Sequence, residues 1–306
     1  MRWRGRRESQ NIEDRRGMRA GFPGRMPMGG RIGGGRIGGR GLAGGGLGAI
    51  VIVVVALLFG IDPGLLFEGA SVGTPSQVGY QAQPAPTSNA GQDEDTKRFI
   101  AVVLAETETA WRGVFHELGH SYDEPTLVLF NGQVRSACGS ASAAVGPFYC
   151  PGDQKVYLDL SFFEDLKSRF GAPGDFAQAY VVAHEVGHHV QNLLGILPQV
   201  DAMRRRVSNA DANKLSVMLE LQADCFSGVW ARRANAASTL LEPGDIDEGL
   251  NAANAIGDDR LQRQAQGYVV PDSFTHGSSA QRQRWFRRGF ENGSLETCDT
   301  FNAARL

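Results

Sequence analysis

The chain has 306 residues, 42% hydrophobic and 21% charged, with a formal net charge of −2. That is enough apolar material for one large or two ordinary domains, and it excludes a wholly disordered chain. The near-neutral total hides an asymmetry: residues 1–40 hold eleven arginines against Glu8, Glu13 and Asp14, a surplus of +8, so the remainder must carry −10 to reach −2. No folded element is expected within this basic Gly/Arg-rich stretch, so it reads as a tail and gives no reason to expect a nucleic-acid partner.

Residues 41–61 carry no charge and centre on GAIVIVVVALLFG. This is about the twenty residues that cross a bilayer as a helix. Arginines before it, and Asp62 and Glu68 after it, predict a single-pass membrane anchor with the N-terminus in the cytoplasm and the rest outside. The competing reading, a cleaved signal peptide, fits less well with a forty-residue lead and no prompt A-x-A-like site. Residues 62–95 are rich in Pro, Gly, Ser and Gln and read as a flexible linker. The folded domain is then 96–306.

Within it, KRFIAVVLAETETAWRGVFHELGHSY reads as one long helix, with Val102, Val103, Trp111, Phe115 and Leu118 at helical spacing. TLVLF and VYLDL read as strands. SFFEDLKSRF is a short helix, and GDFAQAYVVAHEVGHHVQNLLG a longer one, with Asp175 as N-cap and Gly195 and Pro198 as its stop. Another begins near Asp211. The next runs from Asp245 to about Gln264, with Asp245 and Glu248 in capping-box spacing. The last is stopped at Gly289. Strands first and helices after give an α+β domain, mainly helical with a small sheet.

His184, Glu185 and His188 form an H-E-x-x-H pattern. Residues four apart on a helix stack one turn above each other, so the two imidazoles can hold one zinc ion while Glu185 points to where water would lie. A second copy, His116, Glu117 and His120, makes the pattern ambiguous. A third ligand decides, because a catalytic zinc takes three protein ligands and keeps an open position. In the apolar helix LELQADCFSGVW, Glu220 and Asp224 sit four apart on one face. Two carboxylates on a buried face need a compensating partner. Zinc is such a partner for Glu220, with Asp224 behind a ligand histidine; a salt bridge to an arginine is the bland alternative. Nothing equivalent follows His116–His120, which reads as a surface or half-buried helix face. His189 lies well around the helix from His184 and reads as a hydrogen-bonded interior or rim histidine.

Of the four cysteines, Cys138 and Cys150 bracket a short loop and make a natural pair, leaving Cys225 with Cys298; four cysteines allow three connectivities, and Cys225 could equally be a buried thiol. The absence of C-x-x-C argues against a cysteine zinc site.

The combination of HEVGHHVQ, ELQADCFSGVW, SACGSASAAVGPFYCPGDQKVYLDLSFF and DSFTHGSSAQRQRWFRRG resembles the bacterial putative neutral zinc metallopeptidase family over about residues 111–290. The resemblance implies a zincin fold of the gluzincin type, Zn2+ held by His184, His188 and Glu220, Glu185 as general base, and a peptide or protein substrate. His276, in a Thr-His-Gly-Ser loop, is a candidate donor to the oxyanion. VYLDL is a candidate edge strand for an extended peptide, with Tyr157 a second candidate for polarising the carbonyl. Two rivals stand beside the membrane-anchored peptidase: a catalytically silent zincin acting as an envelope scaffold, and a cytosol-facing protein whose basic tail binds nucleic acid or lipid. Glu185 favours the enzyme, since zinc coordination alone has no need of it. Oligomeric state is not indicated.

Overall fold

The structure, a computed structural model, describes residues 1–17 and 90–306. Helix α1 (Ala90–Glu117) leads into strand β2 (Thr126–Phe130), which follows β1 (Ile12–Asp14) in sequence. A hairpin comes next, β3 (Gln133–Ser136) with β4 (Gly139–Ser142), then β5 (Phe148–Cys150) and β6 (Lys155–Asp159). The rest is helical: α2 (Ser161–Ser168), α3 (Asp175–Leu193), α4 (Ile196–Arg204), α5 (Asn209–Ser238), α6 (Asp245–Ala255), α7 (Asp258–Gln266) and α8 (Ser279–Asn292).

The main sheet has the order β1-β2-β6-β5. Strands β1, β2 and β6 run parallel, and β5 pairs antiparallel with β6, Tyr149 opposite Val156. VYLDL is therefore interior, not the edge expected from its sequence; β5 is the edge on that side. Leu127, Leu129, Val156 and Leu158 alternate onto one face of the sheet and join the main core with Ile100, Leu104 and Trp111 of α1. Val128, Phe130 and Tyr157 point to the other face, under the β3–β4 hairpin side.

Residues 1–17, read from the sequence as the start of a basic tail, pack against the domain. They are not a separate tail: Ile12 pairs with Leu127 and Asp14 with Leu129, Ser9 N–H donates to Ala101 O at 2.9 Å, and Arg2 N–H donates to Leu240 O at 2.9 Å. The stretch expected to be the anchor, 41–61, and most of the expected linker lie outside the described residues; among those described, no helix is long and apolar enough to cross a membrane.

Other boundaries moved for local reasons. Helix α1 starts at Ala90, inside the expected linker, and ends at Glu117, where Gly119 at φ +76° turns the chain. Asp175 is the first residue of α3 and not its cap; its carboxylate instead takes the Met1 amino group at 2.9 Å. Glu248 makes no capping box but accepts the Phe176 N–H at 3.0 Å, at the start of α3. The helix expected from Asp245 to Gln264 breaks at Gly257 into α6 and α7. Gly289 does not end α8. A Cβ there would fall on the Cys225 carbonyl oxygen, and one at Gly228 on the Phe286 carbonyl oxygen, so α5 and α8 meet backbone to backbone at these two glycines. Disulfides Cys138–Cys150 and Cys225–Cys298 are formed; the second fixes the chain end to α5.

Candidate metal centre and cleft

Helices α3 and α5 pack closely because Gly187 has no side chain: a Cβ would lie 3.1 Å from Ala223 O. That approach brings His184, His188 and Glu220 together, with one ligand atom of each lying within 4.8 Å of the others. His184 Nε2 is 3.1 Å from Glu220 Oε2, and His188 Nε2 is 3.5 Å from Glu220 Oε1. Two ligands held 2.0–2.1 Å from a tetrahedral ion lie about 3.3 Å apart. The donor set, two imidazoles and a carboxylate at that spacing, therefore fits zinc.

Each imidazole is oriented from behind. His184 Nδ1 lies 2.8 Å from Asp224 Oδ1. His188 Nδ1–H donates to Gln191 Oε1 at 2.9 Å, and the Gln191 amide donates to Leu219 O at 2.7 Å, beside Glu220. Both arrangements leave Nε2 as the free face for a metal. Burial alone would push the His184 ring down, but Asp224 and Glu220 on either side more than reverse this and hold it at about 10. Burial likewise raises Glu220, yet His188, His276 and His184 take it well below the usual carboxylate range. The pocket is built around a positive charge at this point, and a divalent cation satisfies it more fully than a proton.

Asp224, fully buried, answers to both readings of its sequence position. It holds His184, and it also accepts from Arg282: Nε to Oδ2 at 2.8 Å and Nη2 to Oδ1 at 2.9 Å. Tyr180 donates its hydroxyl to the same carboxylate.

A cavity of about 540 Å3 opens over this cluster, and its walls include Glu185, His276, Phe148, Tyr149, Phe162 and Leu219. Glu185 is 8% exposed, and burial raises its carboxyl above the ordinary range despite the neighbouring histidines. A carboxylate in that state is a better proton acceptor than an exposed one. His276 is held by Asp258, Nδ1 to Oδ1 at 3.2 Å, while the other oxygen of Asp258 accepts the N–H groups of Thr275, His276 and Gly277 at 2.8, 2.7 and 3.0 Å. Burial pulls the ring down, but Glu220 and Asp258 raise it overall.

The second H-E-x-x-H copy is broken. His116 and His120 are exposed, and His120 lies beyond the end of α1; Glu117 pairs with Arg233 at 2.6 Å. Tyr157 is also displaced from its expected role: it is 1% exposed, stacks on Phe148 and donates to Asp153 at 2.7 Å, outside the cavity wall. Tyr149 takes the cleft position. Its hydroxyl bonds His189 Nδ1 at 3.1 Å, and His189 Nε2–H donates to Asp123 O at 2.6 Å, which keeps His189 out of the metal cluster.

The residues that sequence reasoning missed are Gln191, Tyr180, Asp258 and Arg282. Gln191 had a signal, one turn after His188 within the same motif; Arg282 had none, since only the tertiary fold brings it to Asp224.

A family model for putative neutral zinc metallopeptidases matches residues 1–301. The chain belongs to that family. Zinc is therefore its cofactor, and the match begins at residue 1, so the family pattern includes the N-terminal strand described above. Among the relatives of this chain, the uncharacterized protein YpfJ of Escherichia coli K12 is 48% identical over 306 residues, covering 98% of this chain and 99% of YpfJ. The uncharacterized protein Rv2575 of Mycobacterium tuberculosis H37Rv is 44% identical over 261 residues, covering 82% and 86%. No solved structure matches the chain.

Proposed function

We propose that the chain is a zinc-dependent peptidase that hydrolyses peptide bonds in the cleft between β5 and the α3–α5 cluster. The observation that carries this is the convergence of His184, His188 and Glu220, their ligand atoms within 4.8 Å of one another, beside a buried Glu185 that coordination does not use. When bound, zinc lowers the pKa of water toward about 7 and polarises a carbonyl. Glu185 takes the proton from the attacking water and passes it to the leaving amine nitrogen. His276, protonated and held at Nδ1 by Asp258, donates from Nε2 to the oxyanion as charge develops. Strand β5, the free antiparallel edge with Phe148 and Tyr149 in the cavity wall, aligns an extended peptide by backbone pairing.

Two disulfides support an oxidising, extracytoplasmic setting. Residues 1–17 share it, because β1 belongs to the domain's sheet. Membrane attachment through 41–61 remains part of the proposal.

The test uses the full chain and its Glu185→Gln variant, assayed for bound zinc and for cleavage of a mixed peptide library. The expected result is one zinc in both and cleavage by the parent alone. One zinc in both with cleavage by neither would replace the enzyme with a zinc-bearing scaffold.

A further inference from the structure

The cleft extends past the metal cluster into a region that the hydrolytic residues do not use. After α3, Gly195 at φ +74° turns the chain into α4. Helix α4 presents Leu197, Asp201 and Arg204 to the cavity, one helical face at i, i+4 and i+7. Glu220 and Ser216 of α5, one turn or about 6 Å apart along the helix, line the same cavity. Arg204 and the candidate ligand Glu220 therefore share one cavity.

The cations of this cavity differ in what they face. Arg282 is committed to Asp224 and His276 to Asp258. Arg169 lies 3.3 Å from Asp165. Arg204 has 16% of its side chain exposed, and its nearest acid is Asp201, Nη1 to Oδ1 at 3.7 Å, too long for a hydrogen bond. Its Nε is buried and has no hydrogen-bond partner among the described residues. A guanidinium offers a planar fork of donors that fits a carboxylate better than any other common peptide group. Leaving such a donor buried and unused is costly, so an anionic occupant gains both the pairing and the relief of that cost.

We infer that Arg204 is a specificity-determining residue that binds a carboxylate of the bound peptide in the part of the cleft lined by α4 and α5. This rests on the peptidase reading for the identity of the ligand as a peptide. Two sources share the chemistry: an Asp or Glu side chain, and the peptide's own C-terminal carboxylate. Neither Lys nor Gln at position 204 reproduces the fork.

The experiment separates this from catalysis by measuring binding. Zinc-loaded full-length chain carrying Glu185→Gln is titrated with fluorescein-labelled octapeptides, Glu scanned through each position and paired with Gln, each with a free or an amidated C-terminus. One pairing should show tighter binding of the carboxylate member by about 10- to 100-fold, the effect of a charge-assisted hydrogen bond. A Glu-over-Gln gap identifies a side chain, and a free-over-amide gap identifies the terminus. Adding Arg204→Gln should bring that ratio to about one, and Arg204→Lys should restore part of it, with thermal midpoints showing both variants folded. Equal affinity across all pairs, no binding by any peptide, or a ratio that survives Arg204→Gln would overturn the inference. Carboxylate-selective binding without cleavage by the parent chain would instead sink the peptidase reading and leave Arg204 in place.

Discussion

Arg282 Nε lies 2.8 Å from Asp224 Oδ2 while the other oxygen of Asp224 lies 2.8 Å from His184 Nδ1. One buried carboxylate thus joins α8 to α3 through α5, and the orientation of a candidate metal ligand depends on a residue nearly a hundred positions away. Arg282→Met removes the guanidinium and leaves Asp224 with a single cationic partner. Breaking a buried pair costs about 3–5 kcal/mol, which urea denaturation of the zinc-free protein should show. Zinc affinity, measured by competition with a chelator, should fall roughly 10- to 100-fold, the usual effect of losing support behind a ligand. A variant that keeps wild-type zinc affinity would mean that Tyr180 alone suffices to hold the carboxylate.

The Asp258–His276 pair gives a pH signature. Asp258 is lowered despite its burial, by His276 and by backbone N–H donors, so its contribution to stability is present above about 3.8 and is lost as pH falls through its lower folded value. His276 is raised, so its contribution is full below about 6.5 and is lost as pH rises through its higher folded value. Urea midpoints of the parent minus those of Asp258→Asn should therefore be largest at mildly acid pH and shrink on both sides. In activity, the same variant should move the alkaline limb of kcat/KM to lower pH. A limb that stays in place would remove His276 from the reaction.

The convergence of His184, His188 and Glu220 was legible because the pattern is local: two histidines four apart on a helix, then two carboxylates four apart in an apolar run. Regular helices were legible for the same reason, through apolar spacing. The edge strand was not. FYC is three residues long, too short for a periodicity, while VYLDL looks like a better strand and became interior. The packing of residues 1–17 was not legible, because arginine-rich composition resembles a solvated tail, whereas Arg7 and Asn11 contact the buried Glu108 of α1. Arg204 gave no local sign, since its significance lies in what it lacks across a cavity.

Two glycines make opposite predictions. Gly289→Ala would place a methyl group on the Cys225 carbonyl oxygen where α5 and α8 touch. The helices must separate next to Asp224, at a cost of about 3 kcal/mol or more. Gly113 sits in α1, exposed, and a Cβ added there would meet nothing within 4 Å. Gly113→Ala should stabilise by about 0.5–1 kcal/mol, because alanine loses less backbone freedom in a helix. Thermal denaturation of the two variants side by side tests whether the close helix contact, rather than glycine content as such, sets the stability of the site's frame.

The N-terminal strand makes the last prediction. Leu127 N–H donates to Asn11 O at 2.8 Å and Arg15 N–H to Leu129 O at 2.7 Å, while Glu13 takes Lys155 of β6 at 2.7 Å. Hydrogen bonds from Arg15 and Lys155 hold the Glu13 carboxyl down at about 2, so this support is present above about 4.5 and fades as pH falls toward 2. If this pairing persists in the cell, residues 1–17 and the zinc domain lie on one side of any membrane, whatever 41–61 does. Single cysteines at the exposed positions Gln10 and Arg305, probed with a membrane-impermeant maleimide in intact cells, should both label or both be protected. Labelling of one alone would mean that a bilayer separates β1 from β2, and the strand would then have to be absent from the working enzyme. Removing residues 1–17 provides the complementary measurement. It uncovers the β2 edge and strips Glu108 of the Arg7 and Asn11 contacts, so the truncated chain should unfold at a lower temperature and exchange the amide hydrogens of β2 faster than the full chain.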